Sequence, residues 1–112
     1  MSSQSLFQVE WTEVALADLE ELLDFIAQEN PAAADTVLTR LQQAAQRLER
    51  HPHRGRAVPE LSRFEIRLYR ELVVRPWRII YRVGRGRVWV LAVLDGRRDL
   101  EAVLLTRLLR RE

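Results

Sequence analysis

Residues 77–94, WRIIYRVGRGRVWVLAVL, decide the fold. Trp77, Ile79, Tyr81 and Val83 share one face of a strand, with Arg78, Ile80 and Arg82 on the other, a period of two. Gly84-Arg85-Gly86 supplies a hairpin turn. The run from Val88 to Leu94 is apolar on both faces, as expected of a central strand covered from both sides. Immediately upstream, Phe64, Ile66 and Leu68 alternate with Glu65, Arg67 and Tyr69, which predicts a strand continuing to about Val74. Arg75-Pro76 then falls at a turn or sheet edge, because proline cannot donate to a ladder.

Working outward, the period changes. Phe7, Val9 and Trp11 read as a short strand with one buried face. Thr12 is an N-cap, and Leu16, Leu19, Leu23 and Ile26 recur at helical spacing to about Gln28. Asn30-Pro31 stops that helix and starts another, whose stripe Ala34, Val37, Leu41, Ala45 and Leu48 ends near Arg50. Helices joined this tightly form an antiparallel hairpin. Asp18, Glu21 and Asp24 fall on the polar side of the first helix, most simply a solvated face. His51 to Ser62, with Pro52, Gly55 and Pro59, reads as a loop, and Asp99 caps a last helix striped by Leu100, Val103, Leu104, Leu108 and Leu109. The expected fold is α+β in the order β-α-α-β-β-β-α. A helical hairpin packs on a mostly antiparallel four-stranded sheet, followed by a C-terminal helix.

The length fits one domain spanning 1–112 with its own core. Without cysteine, disulfides, thiolate metal sites and cysteine nucleophiles are excluded. His51 and His53 alone make a weak metal pair, so neither metal nor cofactor is expected. No apolar run approaches the ~20 residues of a membrane span, and Met1-Ser2-Ser3-Gln4 lacks signal-peptide features, which makes the cytoplasm the default. All 18 basic residues are arginine, and they are distributed unevenly. Residues 1–50 hold nine acids and three arginines, whereas 51–112 hold fifteen arginines and seven acids. The net charge of +2 hides a basic half suited to phosphate or an acidic partner.

Within that half, Arg78 and Arg82 point the same way from one strand, with Tyr69, Trp77 and Trp89 on neighbouring stretches and Arg98 beyond the central strand. Guanidinium forks take phosphate and aromatic faces stack unpaired bases. The competing reading is solvent-facing arginines paired with Glu65, Glu71 or Asp99. Trp77 and Tyr81 share the parity of Ile79 and Val83, which favours core over a stacking platform. Arg70 shares the parity of Leu68 and Leu72, so it is buried against a partner, snorkels, or marks a bulge. Phosphodiester cleavage needs a base beside its cations. Arginine stays protonated, which leaves only Glu65, Glu71, Asp95 and the loop histidines.

Several segments together resemble the RelE/ParE superfamily of bacterial toxins over roughly residues 7–109. They are Trp11-Thr12, Asn30-Pro31-Ala32-Ala33, His51-Pro52 before Gly55-Arg56, Tyr69-Arg70-Glu71-Leu72, Trp77-Arg78-Ile79-Ile80-Tyr81-Arg82-Val83 and Val93-Leu94-Asp95-Gly96-Arg97-Arg98-Asp99. The resemblance implies the toxin of a type II toxin–antitoxin pair, neutralised by an antitoxin that wraps it. RelE-like members enter the ribosomal A site and cut mRNA, whereas ParE-like members poison DNA gyrase without cleaving RNA. For a RelE-like activity the resemblance implies Arg70, Arg78 and Arg98 around the scissile phosphate. Here, however, Leu72 stands where a second basic residue would, Leu104 near an expected tyrosine, and Asp95-Gly96-Arg97-Arg98 where several nucleases have a histidine. The long helical hairpin is also more ParE-like, so the expected target is gyrase, met by Arg78, Arg82, Arg97 and Arg98. The ribosome-dependent endonuclease is the alternative, and a non-toxic protein-interaction module is a third. Leu104, Leu105, Leu108 and Leu109 form a cluster wider than one packing stripe, which suits an antitoxin interface or simply deep packing on the sheet.

Overall fold

A computed structural model describes residues 6–109. It contains β1 (Gln8–Trp11), α1 (Glu13–Ala27), α2 (Pro31–Gln46), β2 (Arg56–Ala57), α3 (Pro59–Ser62), β3 (Tyr69–Val74), β4 (Trp77–Val83), β5 (Arg87–Asp95) and α4 (Leu100–Leu109). The α+β class and the helical hairpin are as expected. The sheet has five strands rather than four, in the order β1-β5-β4-β3-β2. The extra strand, β2, lies in the segment expected to be loop. Only Arg56 and Ala57 pair there, opposite Glu71 and Arg70, too few residues to leave a periodic signal. The strand expected from residue 64 instead begins at Tyr69. Ahead of it α3 makes one turn, and Glu65 takes a positive φ of 64°, which interrupts extended pairing.

The helix ends follow their capping chemistry. The Thr12 hydroxyl accepts the Ala15 N–H at 3.1 Å and also donates to the Val90 carbonyl at 3.1 Å, fixing α1 to β5. The Asn30 side chain accepts from Ala33 N–H, with Pro31 in the first turn of α2. Ala15, Leu19, Val37, Leu41 and Ala45 then pack against Ile79, Val90 and Val93 on one face of the sheet. On the opposite face Leu100 and Leu104 of α4, with Val58 and Leu61 around α3, cover Ile80, Ala92 and Leu94. This double cover explains why β5 is apolar on both sides. It is also flanked by β1, running parallel, and β4, running antiparallel.

One irregularity sets which residues face where. Ile80 pairs with Ala92 but Tyr81 pairs with Val90, so Leu91 is an extra residue on β5. The bulge shifts the β5 alternation by one residue. Val88, Val90 and Val93 therefore serve the helical-hairpin face, while Trp89, Ala92 and Leu94 serve the α4 face.

Asp18 departs from the expected solvated face. It accepts the Val93 N–H of the β5 edge at 3.0 Å and both Arg107 nitrogens of α4 at 2.9 Å. Val93 lies beyond the four residues that β1 pairs, so a carboxylate finishes what the short strand leaves open.

Candidate functional site

On β4, Arg78, Ile80 and Arg82 project to the α4 face, as the period of two requires. Glu71 lies directly opposite Ile80, and Arg56 directly opposite Glu71, so strand register lines up Arg56 and Glu71, and Arg78, two residues along β4 on the same face, reaches Glu71 diagonally. The single turn of α3 then brings Glu60 over the row. Arg78 donates to both Glu60 oxygens, at 2.8 and 2.6 Å, and through Nε to Glu71 Oε1 at 2.7 Å. Arg78 Nη2 also pairs with Glu71 Oε1. The other Glu71 oxygen accepts Arg56 Nε at 2.7 Å.

The Glu71 side chain is 0% exposed and that of Arg78 only 11%, so a buried ion pair is flanked by the more exposed Arg56 and Glu60 in a cage of two guanidinium and two carboxylate groups. Its formal charges cancel. The hydrogen bonds from Arg78 hold the Glu60 carboxyl below its ordinary range, against the opposing effect of burial. Reciprocally, the bond to Glu60 keeps Arg78 firmly protonated. Gly96 closes the site from the side. A methyl group there would meet the Arg78 Cδ at 3.0 Å and the Pro76 carbonyl at 3.1 Å.

The other arginines are dispersed. Arg70 lies opposite Tyr81 on the helical-hairpin face, where its Nη1 donates to the Gly55 carbonyl at 2.8 Å and the His53 carbonyl at 3.3 Å. It is thus satisfied by loop backbone, and it points away from Arg78. Arg97 grips Asp95 with Nε at 2.9 Å and Nη2 at 2.6 Å, which lowers the Asp95 carboxyl to about 2. Arg98 is exposed, with its backbone N–H on the Asp95 carbonyl at 3.2 Å. Arg82 is exposed four residues along β4 from Arg78, roughly 13 Å away. Of the residues grouped by sequence, the fold brings together Arg78 and the Asp95–Arg98 turn, but neither Arg70 nor Arg82.

Candidate bases fare no better. Both Glu71 oxygens are occupied by guanidinium groups, and Asp95 is committed to Arg97. Tyr81 is buried, accepts the Gly55 N–H at 2.9 Å, and burial raises its pKa. Of the candidate bases, Glu71 and Asp95 are thus both engaged by guanidinium groups. In the C-terminal helix, Leu104 is 3% exposed and belongs to the core, while Leu105 is half-buried against it. The side chains of Leu108 and Leu109 lie outside the described residues.

Sequence reasoning missed Glu60, Arg56 and Asp18. Glu60 sits in a stretch read as loop, and nothing in its neighbours announces a partner 18 positions away. The Arg56–Glu71 opposition depends on β2, which has no periodic signature.

Comparison with known proteins agrees with this architecture. The family described as "ParE toxin of type II toxin-antitoxin system, parDE" matches residues 9–100. The chain is 37% identical to Toxin RelE2 of Caulobacter vibrioides, over 81% of its own length and 97% of that protein. Toxin ParE3 of the same organism is 32% identical, over 78% and 84%. A toxin–antitoxin structure described as chromosomal ParDE from P. aeruginosa shares the fold, with a TM-score of 0.66 and 21% identity over 82% of this chain and 98% of that one. The RelBE2 complex from Mycobacterium tuberculosis shares it with a TM-score of 0.55 and 20% identity over 85% and 97%. The caged β4 arginine and its sheet thus sit in a chain that belongs to the ParE toxin family of type II toxin–antitoxin systems, within the RelE/ParE superfamily.

Proposed function

We propose that this toxin acts by binding DNA gyrase, with no bond-breaking chemistry of its own, and that a cognate antitoxin neutralises it in the cytoplasm. The observation that carries this reading is the fate of the three arginines an endonuclease would need. Arg78 is neutralised by Glu60 and Glu71, Arg70 faces the other side of the sheet, and only Arg98 is exposed. Transition-state stabilisation requires cations converging on one phosphate. A protein-docking face requires only surface charge, for which Arg82 and Arg98 are available and Arg97 offers the outer side of its ion pair. Arg78 then serves by shaping the strand beneath. We propose that the antitoxin meets the leucines of the C-terminal helix, Leu104, Leu105, Leu108 and Leu109, of which Leu104 also packs into the core.

Purified toxin should block supercoiling of relaxed plasmid by gyrase, or leave cleaved DNA complexes, while in-vitro translation proceeds. Arrested translation with new mRNA ends, and gyrase indifferent, would establish the RelE-like reading instead. Expression without any arrest of growth would favour a plain interaction module.

A further inference from the structure

We propose that the uncovered end of the α4 face of the sheet binds single-stranded nucleic acid, with Tyr69 and Trp89 stacking bases and Arg82 and Arg87 holding phosphate. Tyr69 lies directly opposite Arg82, and Arg82 directly opposite Trp89, on three adjacent strands. Directly opposed residues share a face, so the three form one row. Neighbouring strands are about 4.8 Å apart, which puts the two aromatic positions roughly 10 Å apart with a guanidinium between them. That spacing suits two bases, one on each ring, with their linking phosphate over Arg82. It is the way an RNA-recognition sheet uses aromatics on its surface.

The row lies beyond the part of the face that α4 covers. Ile80, Ala92 and Leu94 are packed beneath Leu100 and Leu104, whereas Trp89 is partly exposed and belongs to none of the core clusters. Tyr69 is partly exposed at the margin of the cluster formed by Val58, Leu61 and the α4 leucines, which steadies it. The Arg87 guanidinium sits 5.9 Å from the Trp89 ring centroid, and its side chain is 49% exposed. Glu10 is the one carboxylate in the row. It lies opposite Trp89 and meets Arg87 at 3.2 Å.

Charge separates this end of the sheet from the other. Around Arg78 two carboxylates cancel two guanidinium groups. Here Arg82, Arg85 and Arg87 face a single Glu10, and among the described residues Arg82 and Arg85 have no carboxylate partner. Free cations alternating with aromatic rings match a polyanion whose bases carry exposed π-faces, whereas an acidic protein surface would use the cations alone. The inference rests on the strand registers and holds whether or not gyrase is the target.

The test titrates the full-length chain with short oligothymidylate and oligouridylate at low and moderate salt. Tryptophan fluorescence and oligonucleotide anisotropy are both followed. Binding should quench fluorescence and weaken steeply with salt. Trp89→Ala, Tyr69→Ala and Arg82→Ala should each weaken it by about tenfold, while Trp89→Phe stays within about threefold because it still stacks. Arg50→Ala removes the same charge from an exposed site after α2 and should change little. If Trp89→Ala disturbs folding, Trp89→Leu against Trp89→Phe makes the comparison at filled volume. A preference for either sugar supports the proposal equally. Absence of binding at low salt, full affinity in Trp89→Ala, or equal losses in Arg50→Ala and Arg82→Ala would overturn it.

Discussion

Replacing Glu71 by glutamine tests whether the guanidinium–carboxylate cage is truly desolvated. The substitution preserves shape but removes the charge, and it can turn an N–H₂ toward Arg78 or Arg56 where each now finds an acceptor at 2.7 Å. Removing one member of a buried ion pair costs about 3–5 kcal/mol, because the remaining charge is left uncompensated. Two features pull the cost to the lower end. Arg78 keeps its two-pronged bond to Glu60, and Arg56, whose side chain is 63% exposed, rejoins water. The expected loss is therefore about 3 kcal/mol, a fall in Tm of roughly 12–24 °C for a domain near this size. Glu60→Gln makes the same chemical change at a side chain that is 27% exposed, and it leaves Arg78 bonded to Glu71. Its cost should be about 1 kcal/mol. Urea and thermal unfolding of the purified chain at neutral pH, followed by circular dichroism, measure both. The reasoning fails if Glu71→Gln lies within about 1 kcal/mol of the parent, or if Glu60→Gln costs more than Glu71→Gln.

Gly55→Ala should destabilise by about 2–3 kcal/mol. The new methyl would lie 2.5 Å from the Glu71 carbonyl and 2.6 Å from the Tyr81 hydroxyl, and a urea midpoint equal to the parent's would contradict this. Asp18→Ala frees both the Val93 N–H and Arg107, so amide exchange in α4 and the β5 edge should quicken more than in Arg107→Ala, where Asp18 still caps Val93. Equal effects would mean that the edge N–H does not depend on the carboxylate. Asp95 titrates near 2 in the folded chain against 3.8 ordinarily, chiefly through its bonds from Arg97. A lowered carboxyl stabilises fully above its unfolded value and loses that contribution as pH falls from about 4 toward 2. Asp95→Asn should accordingly flatten the acid limb of stability between those values, and an unchanged limb in an acid titration would assign it to other groups.

Much of the architecture is legible in the residues taken singly. The β4–β5 hairpin follows from Trp77 to Leu94, and both helix starts follow from Thr12 and Asn30, because side-chain period and local capping are properties of neighbours in sequence. The buried state of Tyr81 and the family itself were readable in the same way. β2 was not, since two paired residues generate no period, and the false strand start at residue 64 arose from an alternation that the α3 turn and Glu65 override.

The site divides along the same physical line. Sequence by itself determined that this is an arginine-rich ParE-family sheet and that Arg78 and Arg82 share a face, because alternation along one strand needs no partner. Only the tertiary structure decided that Arg78 is caged while Arg82 is free. Glu60 and Glu71 reach Arg78 through a helical turn and a neighbouring strand, Arg70 faces the opposite side, and the Leu91 bulge sets Trp89 beside Arg82. A charge is located by its residue, but whether it remains available is set by the groups that long-range register brings within hydrogen-bonding distance.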